Sequence, residues 1–164
     1  MCCAKECVKS GREQAVLFLD EPTTKPGQAV LHYWQGLAGD GAMPDRATLR
    51  PADIKQHLHA LWIMQVEAGG ADFRVRLAGT TCVEVLGWDF TGQRLSQARP
   101  EQAVRWFPLY EQVVQTRRPL VFQTRLDDIG KRYRRIEALC LPFTRGASDV
   151  AEIVCLGVVL DRPF

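Results

Sequence analysis

The stretch FRVRLAGTTCVEVLG, residues 73–87, changes character in its middle. Its first half alternates apolar and charged residues, which is typical of a strand with one buried face. Its second half is helical, and Thr81 and Glu84 have the spacing of a capping box, in which each side chain satisfies a free backbone N–H. Gly87 can end this helix in the left-handed conformation. The stretch therefore predicts a corner, with the break allowed by Gly79, where a strand leaves its sheet and a short helix begins to cover it.

Strands stand on both sides of this corner. ALWIMQVEA (60–68) and FRVRLAG flank the turn GGAD (69–72) and predict an antiparallel hairpin. A longer helix is predicted over 101–116, with Pro108 expected to kink or divide it. Its apolar stripe comprises Ala103, Phe107, Tyr110 and Val114. Three more strands follow, in PLVFQTRLD, RYRRIEALCLPF and EIVCLGVVLDR. The last is apolar from 153 to 160, which predicts a central strand covered on both faces.

Two helices are predicted before the hairpin. GQAVLHYWQGLAG has apolar residues at three- and four-residue steps, so it is expected to cover the outer face of the sheet or to form a dimer interface. The residues of this stripe are Val30, Leu31, Trp34 and Leu37. A second, short helix should begin near Pro51, with Asp53 in its first turn and a buried stripe of Ile54, Leu58 and Leu61. The predicted organisation is a flexible tail (1–26), a helical extension (27–59) and a core (60–164).

The composition restricts the class of protein. With 164 residues and 46% apolar residues, the chain can bury one core. A net charge of +2 is too small to indicate a nucleic-acid-binding domain. No apolar run approaches the roughly 18 residues of a membrane span, and MCCAKECVKSGREQ is too polar for a signal peptide. We therefore expect a cytoplasmic protein with no membrane span and no nucleic-acid partner.

No metal site is expected from the cysteines and histidines. The N-terminal group, Cys2, Cys3 and Cys7, lacks the paired spacing of a zinc site. His57 and His59 offer no further ligands nearby, so a solvated or core-edge pair is expected. The dispersed cysteines, Cys82, Cys140 and Cys155, stand in apolar segments and are expected to pack in the core. The basic run KRYRR (131–135) is expected to be a solvated part of a strand.

The order of elements resembles a PAS domain, a sensory fold with helices packed on a five-stranded antiparallel sheet. Leu86, Gly87 and Trp88 are similar to a turn that PAS domains often carry, and TGQRL (91–95) is similar to the glycine segment that follows it. The chain also resembles PAS_5-type single-domain proteins common in alphaproteobacteria. That likeness rests on YWQGLAGDGAMPDRATLRPADI, DFRVRLAGTTCVEVLGWDFTG and TRRPLVF. It implies an α+β fold with helices over one face of the sheet, plus an N-terminal helix.

The resemblance also implies a ligand pocket between the sheet and the helices. A haem-binding member would need an axial His on the long helix, and 101–116 has none. A flavin photosensor of the light-oxygen-voltage type would need a reactive Cys in an NCRFLQ-like segment, whereas Cys82 stands in TTCVEV. Neither cofactor is expected, and none is identified. The candidate pocket residues are Cys82, Trp88, Phe90, Trp106, Phe107, Tyr110, Ile136, Cys140 and Cys155. For Trp88, Phe90, Trp106 and Phe107, a filled core is the favoured interpretation, because core aromatic residues outnumber those that contact ligands.

No catalytic motif is present, neither a nucleophile elbow nor a phosphate loop, zinc-protease motif or dinucleotide fingerprint. The expected function is a non-catalytic sensory module of signal transduction that binds a small ligand, a partner protein or both. Because no output domain follows on the chain, a partner protein is expected to carry the signal, and a homodimer is expected. One alternative is a ligand-free dimerisation module. Another is a small enzyme using Glu67, Asp72 or Glu137, which alternation predicts to be outward-facing or turn-bound.

Overall fold

The described part of the chain builds one six-stranded antiparallel sheet with helices on both faces. The computed structural model describes residues 16–41, 43–126 and 131–160, with the backbone only for 131–133. The strands are β1 (Leu17–Leu19), β2 (Leu61–Glu67), β3 (Asp72–Ala78), β4 (Leu120–Leu126), β5 (Lys131–Phe143) and β6 (Glu152–Val159). The α-helices are α1 (Lys25–Ala38), α2 (Thr80–Leu86) and α3 (Pro100–Thr116), and 3-10 helices occupy Arg46–Thr48, Pro51–Ala60, Ala68–Gly70 and Leu95–Gln97.

The strand order is β1-β4-β5-β6-β2-β3. It confirms the predicted α+β fold and the five predicted strands. β6 lies between β5 and β2, and Glu152 to Leu156 are all buried, so the prediction of a central, covered strand is confirmed. β1 was not predicted from the sequence; it pairs with β4, with Leu17 opposite Gln123. β1 has three residues, which are too few to show a periodic pattern in the sequence. The strand is recognised only from its pairing with β4 in the structure.

Alternation along the strands separates two cores. On β2, Leu61 and Ile63 point to the face covered by α1 and the 3-10 helix Pro51–Ala60, which we call the α1 face. Trp62 and Met64 point to the opposite face, the α3 face, which is covered by α2 and α3. Trp34 is buried on the α1 face, and its indole N–H donates to the Pro142 carbonyl at 2.9 Å. The helix around Trp34 therefore covers the outer face of the sheet, as predicted.

The same packing bears on the predicted dimer surface. Val30 and Trp34 are buried against the sheet of their own chain, and Leu31 and Leu37 are half-buried against the same core cluster. The apolar stripe of α1 is thus used within the chain, because the α1 face of the sheet needs a cover. The stripe therefore offers little surface to a second copy.

The corner after β3 is formed as predicted, but not by a capping box. α2 begins at Thr80, with Gly79 as its N-cap and no side-chain cap. Thr81 already lies inside the helix, so its hydroxyl cannot cap the first turn, and this part of the prediction is wrong. Gly87 ends the helix with a φ of 88° and a ψ of 7°, the predicted left-handed cap.

Two other apolar stripes differ from prediction. Residues 51–60 form a 3-10 helix, whose three-residue turn does not keep Ile54, Leu58 and Leu61 on one face. Ile54 is buried, Leu58 is exposed, and Leu61 begins β2. α3 runs through Pro108 without dividing. Its buried residues are Leu109, Tyr110 and Val113, whereas the predicted stripe members Ala103, Phe107 and Val114 are half-buried.

Two carboxylates are buried on the α1 face. Glu152 is 1% exposed and lies 2.7 Å from Arg145 Nη2, 3.0 Å from Arg46 Nε and 3.6 Å from Arg76 Nη1. Glu137 is 2% exposed, so the prediction that it faces outward is wrong. Alternation puts Glu137 on the face opposite Ile136, and the segment before α1 then covers that face.

Candidate ligand-binding site

A cavity of about 120 Å³ lies between the α3 face of the sheet and the helical wall. Its floor is formed by strand residues, namely Trp62, Met64, Val75, Leu126, Ile136, Gly157 and Val159. Its wall is formed by residues of α2, the following segment and α3, namely Thr81, Cys82, Val85, Leu86, Trp88, Phe90, Gln93, Arg94, Leu95, Ala98, Gln102, Trp106 and Tyr110. The cavity therefore occupies the space between sheet and helices that the resemblance implies.

Small residues in the central strands make room for the large rings of the floor. Gly157 on β6 stands opposite Ala138 on β5, and a Cβ added at Gly157 would lie 3.0 Å from Cζ3 of Trp62. The indole thus lies directly over the backbone of β6. A glycine inside an apolar strand is a sequence signal for such a close approach, although Gly157 was not among the predicted site residues.

Aromatic rings dominate the walls. The rings of Trp62 and Trp106 meet edge to face with centroids 6.0 Å apart, and Trp106 stacks on Tyr110 at 6.0 Å. Trp88 and Phe90 form a second pair at 5.8 Å. Such pairs hold each other in place and present ring faces and edges to the space between them. The shape and apolar character of these walls are compatible with a flat apolar ligand.

One hydrogen-bonded pair is buried within the lining. Trp62 Nε1 donates to Tyr110 Oη at 2.9 Å, and Tyr110 is only 4% exposed. Burial raises the pKa of Tyr110 well above its ordinary value, so the phenol stays protonated at neutral pH. The hydroxyl therefore keeps its hydrogen and can act as a donor.

Among the described residues of the lining, Arg94 is the one that carries a charge, and it is paired. Its Nε donates to Glu67 Oε2 at 2.7 Å, and Arg74 Nε donates to the other oxygen of Glu67 at 2.7 Å. The hydrogen bonds from Arg94 and Arg74 hold the pKa of Glu67 below its ordinary value, so the carboxylate stays ionised. The positive charge of Arg94 is thus balanced outside the cavity.

The nine candidate pocket residues of the sequence analysis fall into two groups. Six line the cavity, namely Cys82, Trp88, Phe90, Trp106, Tyr110 and Ile136. Phe107, Cys140 and Cys155 lie outside its lining and belong to the neighbouring core. Cys140 on β5 and Cys155 on β6 are fully buried free cysteines that lie opposite each other in the strand register. Phe107 packs on Phe73 with ring centroids 5.3 Å apart. The floor residues Trp62, Met64 and Val75 were missed, although strand alternation places them on the same face.

Cys82 lines the cavity as a neutral thiol. It is half-buried, and its Sγ donates to the Leu61 carbonyl at 3.6 Å. Burial raises the pKa of Cys82 to about 11. A thiol with this pKa is a poor nucleophile at neutral pH, because the thiolate is the reactive form. The residue fits the packing role that the sequence predicts for it.

This pKa predicts slow alkylation of Cys82. At pH 8 its thiolate fraction should be roughly a hundredth of that of an ordinary cysteine, since its pKa is about two units higher. Iodoacetamide should therefore modify Cys82 roughly a hundred times more slowly than cysteine in an unfolded peptide of the same sequence. Peptide mapping by mass spectrometry measures this rate, and the rate should rise with pH up to about 11. Labelling as fast as in the peptide would contradict the burial of this thiol.

The described residues contain no cluster of side chains suited to binding a metal ion. Groups of three or more His, Cys, Asp or Glu side chains that could hold a metal ion are absent from residues 16–41, 43–126 and 131–160. The group Cys2, Cys3 and Cys7 lies outside the described residues. His57 and His59 stand on the 3-10 helix before β2, where His57 Nε2 lies 3.2 Å from Gln56 Nε2. No helix in the described part of the chain has both the length and the apolar character needed to cross a membrane.

The candidate acids of an enzyme lie outside the cavity. Glu67 pairs with Arg74 and Arg94, and Asp72 accepts from the Ser96 hydroxyl at 2.5 Å. Glu137 is on the α1 face, on the other side of the sheet. None of the three carboxylates belongs to the cavity lining.

Comparison with known protein families matches residues 23–160 to a PAS domain family, PAS_5. The matched segment contains α1, both hairpin strands, the helical wall and the last three strands, and it leaves out β1. No curated protein and no solved structure matches the chain. PAS domains are generally sensory domains without catalysis, and they often mediate protein interactions. Because the match covers most of the chain, the protein belongs to the PAS_5 family of PAS domains.

Proposed function

We propose that this PAS domain is a cytoplasmic, non-catalytic sensory or regulatory module that binds a small molecule in the cavity beneath α3 and signals through a partner protein. The cavity itself carries the proposal. Protein interiors are packed as densely as organic crystals, so an apolar space of this size is normally filled by side chains. A concave site with apolar walls and a few placed polar groups is the general form of a small-ligand site.

The volume sets the size of the ligand. At about 120 Å³ the cavity is close to the engineered apolar cavity of about 150 Å³ that binds benzene. The expected ligand is therefore a small molecule built on a single ring. A ligand-free interaction module would not need this cavity, and the described lining contains no carboxylate that could act as a catalytic acid.

A short path leads from the cavity to α1. Ile136 on β5 lines the cavity, and Glu137, the next residue, faces the opposite side of the sheet. There its carboxylate accepts hydrogen bonds from Thr23 and Thr24, immediately before α1. A ligand that displaces β5 would act on the start of α1 through one peptide unit. We propose that the partner protein binds at the start of α1 and responds to its displacement.

Filling the cavity should weaken ligand binding strongly. Ala98 lines the cavity from the segment before α3, so Ala98→Leu adds three carbon atoms to the lining. We expect the variant to bind small aromatic fragments at least about tenfold more weakly than the wild type, with an unchanged or raised melting temperature because filled cavities stabilise proteins. Titration of backbone amide NMR signals with a set of single-ring fragments measures the affinities.

Ala71→Leu is the matched control, because Ala71 is exposed in the turn after β2 and does not line the cavity. It should bind as the wild type does. Hydrogen exchange tests the second half of the proposal, since a bound fragment should change the protection of amides in the first turn of α1. The ligand-binding proposal falls if the wild type binds no fragment, or if Ala98→Leu binds them equally well. If a bound fragment leaves the hydrogen exchange of the α1 amides unchanged, the proposed signalling path is refuted.

A further inference from the structure

The buried hydroxyl of Tyr110 has one unmet hydrogen-bonding need. Tyr110 Oη accepts from Trp62 Nε1 at 2.9 Å, which uses the oxygen as an acceptor. Within the described residues, no oxygen, nitrogen or sulfur atom accepts the hydroxyl hydrogen. A buried donor without an acceptor costs about 1–3 kcal/mol, which a folded protein seldom leaves uncompensated. Both members of this pair line the cavity, so a ligand there can supply the missing acceptor.

The described lining around this hydroxyl is rich in aromatic rings, and its charged residue, Arg94, is paired. Trp106 stacks against Tyr110, and Trp62 packs edge to face on Trp106, so two further aromatic rings lie next to the Tyr110 side chain in the lining. Cys82 in the same wall is a neutral thiol. The charge of Arg94 is balanced by Glu67. An ion placed there would lose its hydration without gaining a free partner, which is costly.

We propose that the cavity binds an uncharged, single-ring aromatic molecule that carries one hydrogen-bond acceptor, and that Tyr110 Oη donates to this acceptor. The inference rests on the proposed function, because it names the class of ligand for the same cavity. Trp62 acts as a positioning residue, since its N–H occupies the acceptor side of the phenol oxygen and leaves the hydrogen for the ligand. The carbonyl of an aromatic ketone or aldehyde has the required acceptor.

Three probes of nearly the same shape separate the possibilities. Acetophenone has the ring and a carbonyl acceptor, ethylbenzene has the ring without an acceptor, and benzoate has the ring with a negative charge. The full chain is titrated with each probe by NMR, and the affinities are compared with those of the Tyr110→Phe variant. We expect Tyr110→Phe to reduce the ratio of acetophenone affinity to ethylbenzene affinity by about fivefold, as the loss of one hydrogen bond requires. Benzoate should bind more weakly than acetophenone.

A second measurement needs no variant and therefore does not depend on the fold of Tyr110→Phe. In infrared spectra the carbonyl stretch of acetophenone bound to the wild type should lie at lower frequency than in dry hexane, because a hydrogen bond weakens the C=O bond. A hexane-like frequency, an affinity ratio unchanged by Tyr110→Phe or tighter binding of benzoate would each overturn the ligand class, while cavity binding as such would stand. If none of the three probes binds the wild type, both the ligand class and the proposed cavity site are lost.

Discussion

Replacing Gly79 by alanine is expected to lower the free energy of unfolding by about 3 kcal/mol or more, because the added methyl group would clash with backbone atoms. A Cβ at this position would lie 2.4 Å from the His59 carbonyl oxygen and 2.7 Å from the Leu58 carbonyl oxygen. Both are backbone atoms in the 3-10 helix before β2, so no side-chain rotation can relieve the contact. The corner would have to move away from β2.

Space, rather than backbone conformation, makes Gly79 necessary. Its φ of −67° and ψ of 158° are values that any residue adopts. Its N–H donates to the Leu61 carbonyl at 2.7 Å, which draws the corner against the start of β2. The same approach places Cys82 of α2 beside the Leu61 carbonyl. Moving the corner would therefore also displace the α2 wall of the cavity.

Urea unfolding of Gly79→Ala and Gly36→Ala measures the effect against a matched control. Gly36 lies within α1 with no atom within 4 Å of an added Cβ. Gly36→Ala should leave stability unchanged or raise it by up to about 1 kcal/mol, because alanine has the higher helix propensity. A loss of less than about 1 kcal/mol in Gly79→Ala would show that the corner does not approach β2 this closely.

The corner also shows how far the sequence predicts this fold. Alternation in residues 73–78 and the glycine at 87 predict a strand, a break and a capped helix, and these are local features that a short window contains. The capping box fails because the N-cap of α2 is Gly79, two residues before Thr81. The contact of Gly79 with the 3-10 helix depends on a segment some 20 residues away, and no local pattern encodes it.

The candidate site divides in the same way. Residues of the helical wall, such as Trp88 and Trp106, were predicted because the resemblance to PAS domains implies a pocket beneath the helices. The floor residues Trp62 and Gly157 come from strands that are distant in sequence and adjacent only after the sheet forms. The hydrogen bond between Trp62 and Tyr110 joins residues 48 positions apart. Pairings of this kind depend on register, which a single sequence leaves open.

Replacing Glu137 by glutamine should lower the free energy of unfolding by about 3 kcal/mol and loosen the start of α1. The carboxylate accepts from the Thr23 and Thr24 hydroxyls at 2.6 Å each, and from their backbone N–H groups at 2.9 and 3.1 Å. Glutamine keeps the shape of the side chain but has one acceptor oxygen and turns an NH₂ group toward the remaining donors. Urea unfolding at pH 7 measures the loss.

The effect should depend on pH in a defined direction. Burial acts to raise the pKa of Glu137, but the hydrogen bonds from Thr23 and Thr24 outweigh it and leave the pKa below its ordinary value. A depressed pKa in the folded state stabilises the fold above the unfolded pKa of about 4.3, and the gain is lost as the pH falls through the folded value. The stability difference between wild type and Glu137→Gln should therefore be constant above about pH 5 and shrink below about pH 4.

Glu111→Gln is the control, because Glu111 is exposed on α3 and its replacement should change stability by less than about 0.5 kcal/mol. Hydrogen exchange then separates a local effect from a global one. In Glu137→Gln the amide of Gln28, which donates to the Thr24 carbonyl at 3.0 Å, should lose more protection than amides of β6 at the centre of the sheet. Equal losses in both places would mean that Glu137 stabilises the whole sheet and does not hold α1 specifically. The path from Ile136 through Glu137 to α1 would then lose its mechanical basis, even if the cavity binds its ligand.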